Sequence, residues 1–210
     1  MPVMKYFLFI LFFWSVSATA QNFIDMEKDT IQMQEVIVTS GKKHKMKTLQ
    51  LTGPCYSPEP FKDADEILTL VENLPAGSLE SVSFYFNGVF EGTRKAGEQS
   101  SFGVLIYTVE QNGEPGQRIA YDKKALLMDD KAKGKVTINI AGLDLQSQSR
   151  LFIGLVKESG PAVIDDLFFD CLCNGHDKYK TLARTSETAP WERRWVCAAI
   201  RVDVRVLLNK

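Results

Sequence analysis

Tyr85, Tyr107, Trp191 and Trp195 are the side chains of this sequence best suited to binding chemistry, because the faces of sugar rings stack on exposed aromatic rings. The same residue types have an equally physical structural use, since Tyr and Trp commonly sit half-buried in β-sandwiches. Asp165-Asp166, and likewise Asp129-Asp130, can offer oxygen ligands to a hard cation. Neither pair falls in a D-x-D-x-D-G spacing, so no cofactor is expected beyond a structural calcium clipping a loop. Asp165, Asp166 and Asp170 would also be the carboxylates of a hydrolase, which needs two converging in one cleft.

Other catalytic chemistry is poorly served. His44 lies in a polar, basic stretch and His176 in the turn Asn174-Gly175-His176-Asp177, neither with a partner acid or nucleophile at a telling spacing. There is no G-x-S-x-G elbow and no H-E-x-x-H pair. The expectation is therefore a protein that is not an enzyme, with a hydrolase as the weakest of three readings.

Cys55, Cys171, Cys173 and Cys197 allow three pairings. A bridge from Cys171 to Cys173 would close a very short ring, so both are expected to reach outward, to Cys55 and Cys197 in one order or the other. A zinc site would want closely spaced ligand pairs. Only Cys171-x-Cys173 is close, and its gap is shorter than usual ligand spacing, so disulfides, or some free buried thiols, are expected instead.

The elements that must position these residues begin with an export pattern. Lys5 precedes the apolar run from Tyr6 to Val16, and Ala18-Thr19-Ala20 supplies a cleavage site before Gln21. About eleven apolar residues fall short of the roughly twenty that a spanning helix needs. Cleavage would leave 190 of the 210 residues, take the net charge from −1 to −2 by removing Lys5, and leave no transmembrane segment. Residue 21 is Gln rather than Cys, so no lipid anchor is indicated. Nothing in this charge suggests nucleic acid as a partner.

Residues 21–47 read as a polar lead-in with one short strand at Val36-Ile37-Val38, and residues 48–210 as a single β-domain. Glu66 to Val71 is an apolar-rich run; Val82, Phe84 and Phe86 alternate with polar neighbours up to Asn87-Gly88; Phe102 to Val109 ends in the turn Gln111-Asn112-Gly113-Glu114-Pro115-Gly116. Val136, Ile138 and Ile140 alternate as well, and Leu151 to Val156 is more fully apolar. Val196, Ala198, Ile200, Val202, Val204 and Val206 predict one long final strand, with Arg201, Asp203 and Arg205 on its wet face. A short helical turn is accommodated over Asp63 to Ile67. About seven to nine strands without alternating helices predict an all-β, antiparallel, jelly-roll-like sandwich, with a closed barrel as the alternative.

Glu35-Val36-Ile37-Val38-Thr39, after Asp29-Thr30-Ile31-Gln32-Met33-Gln34, resembles the E-V-V-V-T stretch near the start of TonB-dependent outer-membrane receptors. The same stretch occurs in some envelope proteins after a carboxypeptidase-like regulatory domain. Ser81 to Phe86, Phe102 to Tyr107 with Gly113-Glu114-Pro115-Gly116, Lys135 to Ile140, Leu151 to Leu155 and Ala199 to Val202 are similar to strands and turns of uncharacterised exported proteins of that second group. The resemblance implies a fold and an envelope location, not a reaction. The regulatory domain and a receptor barrel are both missing from the pattern. The E-V-I-V-T segment is then expected to be the first strand rather than a docking motif that adds to a partner's sheet.

Together these observations predict an exported protein of the periplasm, outer-membrane surface or extracellular space. It would act as a non-catalytic binding or structural module for an envelope protein, displayed through edge strands and loops. The alternative is a carbohydrate-binding module whose aromatic face comprises Tyr85, Tyr107, Trp191 and Trp195.

Overall fold

A computed structural model describes residues 45–61, 64–89, 100–128, 133–159 and 167–209. These residues form thirteen strands and one 3-10 turn at Ala141–Leu143. Seven strands make one sheet: β1 (Met46–Gln50), β2 (Tyr56–Pro60), β4 (Gly77–Val89), β7 (Lys133–Asn139), β9 (Leu167–Leu172), β12 (Ala199–Ile200) and β13 (Val202–Leu208). The other six make the second sheet, in the order β11 (Glu192–Arg193), β10 (Thr181–Arg184), β3 (Glu66–Glu72), β8 (Arg150–Ser159), β5 (Ser100–Val109) and β6 (Pro115–Met128). Every strand pairing is antiparallel. The chain is an all-β sandwich.

Period-two patterning explains why the sheets face each other. Val82, Phe84 and Phe86 of β4 and Val202, Val204 and Val206 of β13 point inward and are buried, meeting Ile67 and Val71 of β3, Leu151, Ile153 and Leu155 of β8, and Val104 and Ile106 of β5. Phe61 closes one region of this core, its ring 5.0 Å from Phe102 and 6.1 Å from Phe169. Each such side chain contributes about 1.5–3 kcal/mol through burial.

Polar atoms also stitch the layers. Thr181 Oγ1 donates to Ala198 O (3.1 Å), so the 2.7 Å contact between Thr69 and Thr181 is a donation by the Thr69 hydroxyl, which accepts from Ile200 N (2.9 Å). Gly154 is required in β8 because a Cβ there would lie 1.8 Å from Ile67 O of the neighbouring strand.

Several sequence expectations are corrected. The final strand is two strands: β12 pairs with β9, Arg201 N donates to Asp170 O at 2.8 Å, and β13 then pairs with β1 and β4. Val196 lies outside both and is 60% exposed, so its place in the alternation is coincidental. β4 does not stop at Asn87-Gly88; Gly88 adopts φ 89°, and the strand continues through a register shift to Val89. No helical turn occupies residues 64–67, since Glu66 already pairs with Val156. The lead-in boundary at residue 47 falls inside β1. The export pattern, the E-V-I-V-T segment, Asp129-Asp130 and Asp165-Asp166 lie outside the described residues.

Candidate functional site

The two outer faces of the sandwich differ in kind. On the seven-stranded sheet, cross-strand register lays polar side chains in rows: Thr48, Arg205, Ser81 and Asn139 in one, and Gln50, Asp203, Ser83 and Thr137 in the next. Tyr85 and Lys135 are paired beyond them. Asp203 is the centre of this face. It points away from the core, yet is only 4% exposed, because its neighbours fold over it. Its Oδ2 accepts from Lys135 Nζ at 2.6 Å, Tyr85 Oη at 2.8 Å and Gln50 Nε2 at 3.3 Å.

The electrostatics follow from these contacts. The hydrogen bond to Asp203 raises the Lys135 pKa above its ordinary value, against the opposing effect of burial. Burial first, and then the Asp203 carboxylate, raise that of Tyr85. Beside this network the Arg201 guanidinium lies 3.8 Å from the centre of the Tyr85 ring and 4.4 Å from that of Tyr56. It also donates to Asp170 Oδ2 at 3.0 Å, while Asn87 donates to Asp170 Oδ1 at 3.0 Å. A cavity of about 390 Å³ opens over the rows, lined by Met46, Thr48, Ser81, Ser83, Lys135, Thr137, Asp203 and Arg205.

On the six-stranded sheet the outer face is apolar and closed. Leu68, Leu70, Leu105, Tyr107, Phe152 and Leu182 form a second buried cluster, with Val109, Val156 and Trp191 packed against it. Core on both sides is why Leu151 to Val156 reads as continuously apolar. At its margin the Arg184 Nε and Nη2 atoms both donate to Glu66 Oε2, at 3.0 and 2.8 Å, and Tyr107 Oη donates to the same oxygen at 3.1 Å. Trp191 meets Tyr107 edge-on at 5.7 Å and carries Arg184 over its face at 4.3 Å.

Burial first, and then the Glu66 carboxylate, push the Tyr107 phenol up to about 12. The folded state therefore holds this proton more tightly than the unfolded chain. The associated stability is whole below the ordinary tyrosine value near 10 and is lost as pH rises through about 12. In an ultraviolet absorbance titration Tyr107 should ionise near 12, and Tyr107→Phe should remove that step; an unchanged curve would refute the assignment.

The four aromatic residues singled out from sequence do not share a face. Tyr107 and Trp191 belong to the closed cluster, Tyr85 stands half-buried on the opposite sheet, and Trp195 is in a turn, 64% exposed, with Arg193 over its ring at 4.1 Å and His176 6.0 Å away. Their division follows from sheet membership, which alternation within one strand does not reveal. The sequence reading missed Asp203, Lys135, Arg201 and Tyr56 on the polar face and Glu66 and Arg184 on the other. A signal for the polar face existed in Ser81-x-Ser83-x-Tyr85 and Arg201-x-Asp203-x-Arg205, but reading it needed the register between them.

The cysteines pair as Cys55–Cys173 and Cys171–Cys197, in keeping with the expectation that the close pair reaches outward. Two disulfides suit an oxidising compartment. Among the described residues no group of three or more His, Cys, Asp or Glu side chains is arranged to hold a metal ion. The cavity over the polar rows presents one carboxyl group, that of Asp203. Among the described residues no helix is long and apolar enough to cross a membrane.

Fold and site together define a disulfide-stapled antiparallel β-sandwich with one closed apolar outer face and one ordered polar one. No protein-family model and no curated protein matches the chain. A solved structure described as that of the infectious bursal disease virus Gx strain aligns at 9% identity and a TM-score of 0.22, covering 80% of this chain. The aligned part spans 36% of that viral chain.

Proposed function

We propose that this protein is an exported, non-catalytic module of the bacterial cell envelope that binds other envelope components through the outer face of its seven-stranded sheet. The contrast between the two outer faces carries the reading. One is sealed by an apolar cluster, while the other keeps Asp203, Lys135, Tyr85 and the Ser and Thr rows ordered beneath an open cavity. The location is supported by the N-terminal export pattern and by the two disulfides.

Strand addition is discouraged at two of the sheet edges, since β2 carries Pro58 and Pro60 and β7 carries Lys133 and Lys135. The aromatic-face reading built on Tyr85, Tyr107, Trp191 and Trp195 loses support because those residues are divided among three places.

The test is capture of envelope components by the exported chain, compared with a variant in which Ser81→Trp fills the face. Specific capture that disappears in the variant is the expected result. Equal capture by both would overturn the assignment of the face.

A further inference from the structure

We infer that the cavity over β1, β13, β4 and β7 is a binding site for a carboxylate-bearing sugar, a hexuronate unit of an acidic glycan. The inference rests on the reading of this face as the binding face and adds the chemistry of the ligand. Three features of the cavity point to that class.

The first is an acceptor held ready. Lys135, Tyr85 and Gln50 all donate to Asp203 Oδ2, and Oδ1 takes no hydrogen bond among the described residues. Among the described residues no fully buried side-chain oxygen lacks a hydrogen-bond partner, so Oδ1 keeps contact with solvent, and an acid fixed by its neighbours at the lining of a cavity offers that oxygen with no rotamer freedom to lose. Such an oxygen suits the hydroxyl groups of a sugar, which donate to it.

The second is a cation without a counter-charge. Lys135 is neutralised by Asp203, and Arg201 by Asp170. Arg205 is exposed on the same face and makes no ion pair among the described residues. Its planar guanidinium matches a carboxylate in two-point geometry, which an ammonium group would not. Arg205 and Asp203 are alternate residues of β13, so they stand about 7 Å apart on one face. That spacing suits a hexuronate ring, with its carboxylate at one side and its hydroxyls at the other.

The third is the hydroxyl lining between them. Ser83 and Thr137 share one hydrogen bond of 2.9 Å, so the pair keeps one O–H free to donate and lone pairs free to accept. Thr48 and Ser81 flank Arg205 in register and add two more groups of the same kind. A bare inorganic anion would use Arg205 and leave these hydroxyls and Asp203 Oδ1 idle; a neutral sugar would leave Arg205 idle.

The test is calorimetric titration of the exported chain with trigalacturonate, with a neutral galactose trisaccharide and with inorganic phosphate. Trigalacturonate should bind, and the neutral sugar should bind at least about tenfold more weakly, the size of one charge-assisted contact. Arg205→Gln, at an exposed position with no ion pair to lose, should erase that preference without shifting the melting temperature. Ser81→Ala should weaken both sugars together.

No binding of trigalacturonate, equal binding of the neutral sugar, an unchanged affinity in Arg205→Gln, or equal competition by phosphate would each overturn the inference. If trigalacturonate fails while Ser81→Trp still abolishes envelope capture, the ligand class is wrong and the binding face stands. If capture is indifferent to Ser81→Trp, the face itself is wrong.

Discussion

Glu66→Leu should destabilise the protein by about 3–5 kcal/mol, and Arg184→Met by a similar amount, whereas the double substitution should cost only about 1–3 kcal/mol, the loss of the partners of the buried Tyr107 hydroxyl. The reason is the site each partner leaves behind. The Glu66 and Arg184 side chains are 4% and 10% exposed, and two guanidinium nitrogens converge on one carboxylate oxygen that also takes the Tyr107 hydroxyl. Removing the acid leaves the guanidinium between Trp191 and Tyr107 without its counter-charge, with only the Glu187 carbonyl and the Tyr107 oxygen as acceptors. Removing both charges leaves an apolar pair beside Leu68, Leu105 and Leu182, surroundings already suited to it. Urea unfolding of the two single variants and the double variant closes the cycle. Additive losses in the double variant would show that packing, rather than a stranded charge, sets the cost.

That bridge also shows where sequence reasoning stops. Inward alternation at Val82, Phe84 and Phe86, or at Val202, Val204 and Val206, is local and strong, so these strands and their buried faces were legible. Glu66 was legible only as the start of an apolar run. Its partner lies 118 residues along the chain, and only the pairing of β3 with β10 brings the two together. β6 was missed because Pro115 and Gly116 signal a turn, although the strand begins at once there, opposite Val109. The alternation of β13 puts Asp203 at a wetted strand position, and its geometry does point outward. What pattern could not convey is that Tyr85, Lys135 and Gln50, from three other strands, cover it. The candidate site is therefore a property of register, and register between distant strands is the least local quantity in an antiparallel sandwich.

The second large effect should come from the disulfides, and the two should open in a fixed order. Cys171 and Cys197 are both fully buried, between β9 and the turn that enters β12, whereas Cys55 and Cys173 are only partly buried. Reductant reaches sulfur by direct contact, so Cys55–Cys173 should be reduced in the folded protein and Cys171–Cys197 only when the sandwich opens. The bridge that opens first spans the longer separation, 118 residues against 26. On loop entropy alone, losing it should cost about 5 kcal/mol, against about 3.5 kcal/mol for the buried bridge. Because Cys171 lies within the segment closed by Cys55 and Cys173, the two loops interlace and these costs are not independent. Alkylation under mild reductant, followed by peptide mass mapping, should label Cys55 and Cys173 first while the sandwich stays folded. The Cys55→Ala/Cys173→Ala protein should melt well below the parent yet keep the buried bridge. Simultaneous labelling of all four cysteines would mean that the first reduction already unfolds the domain, placing the long bridge among the conditions for folding rather than among its reinforcements.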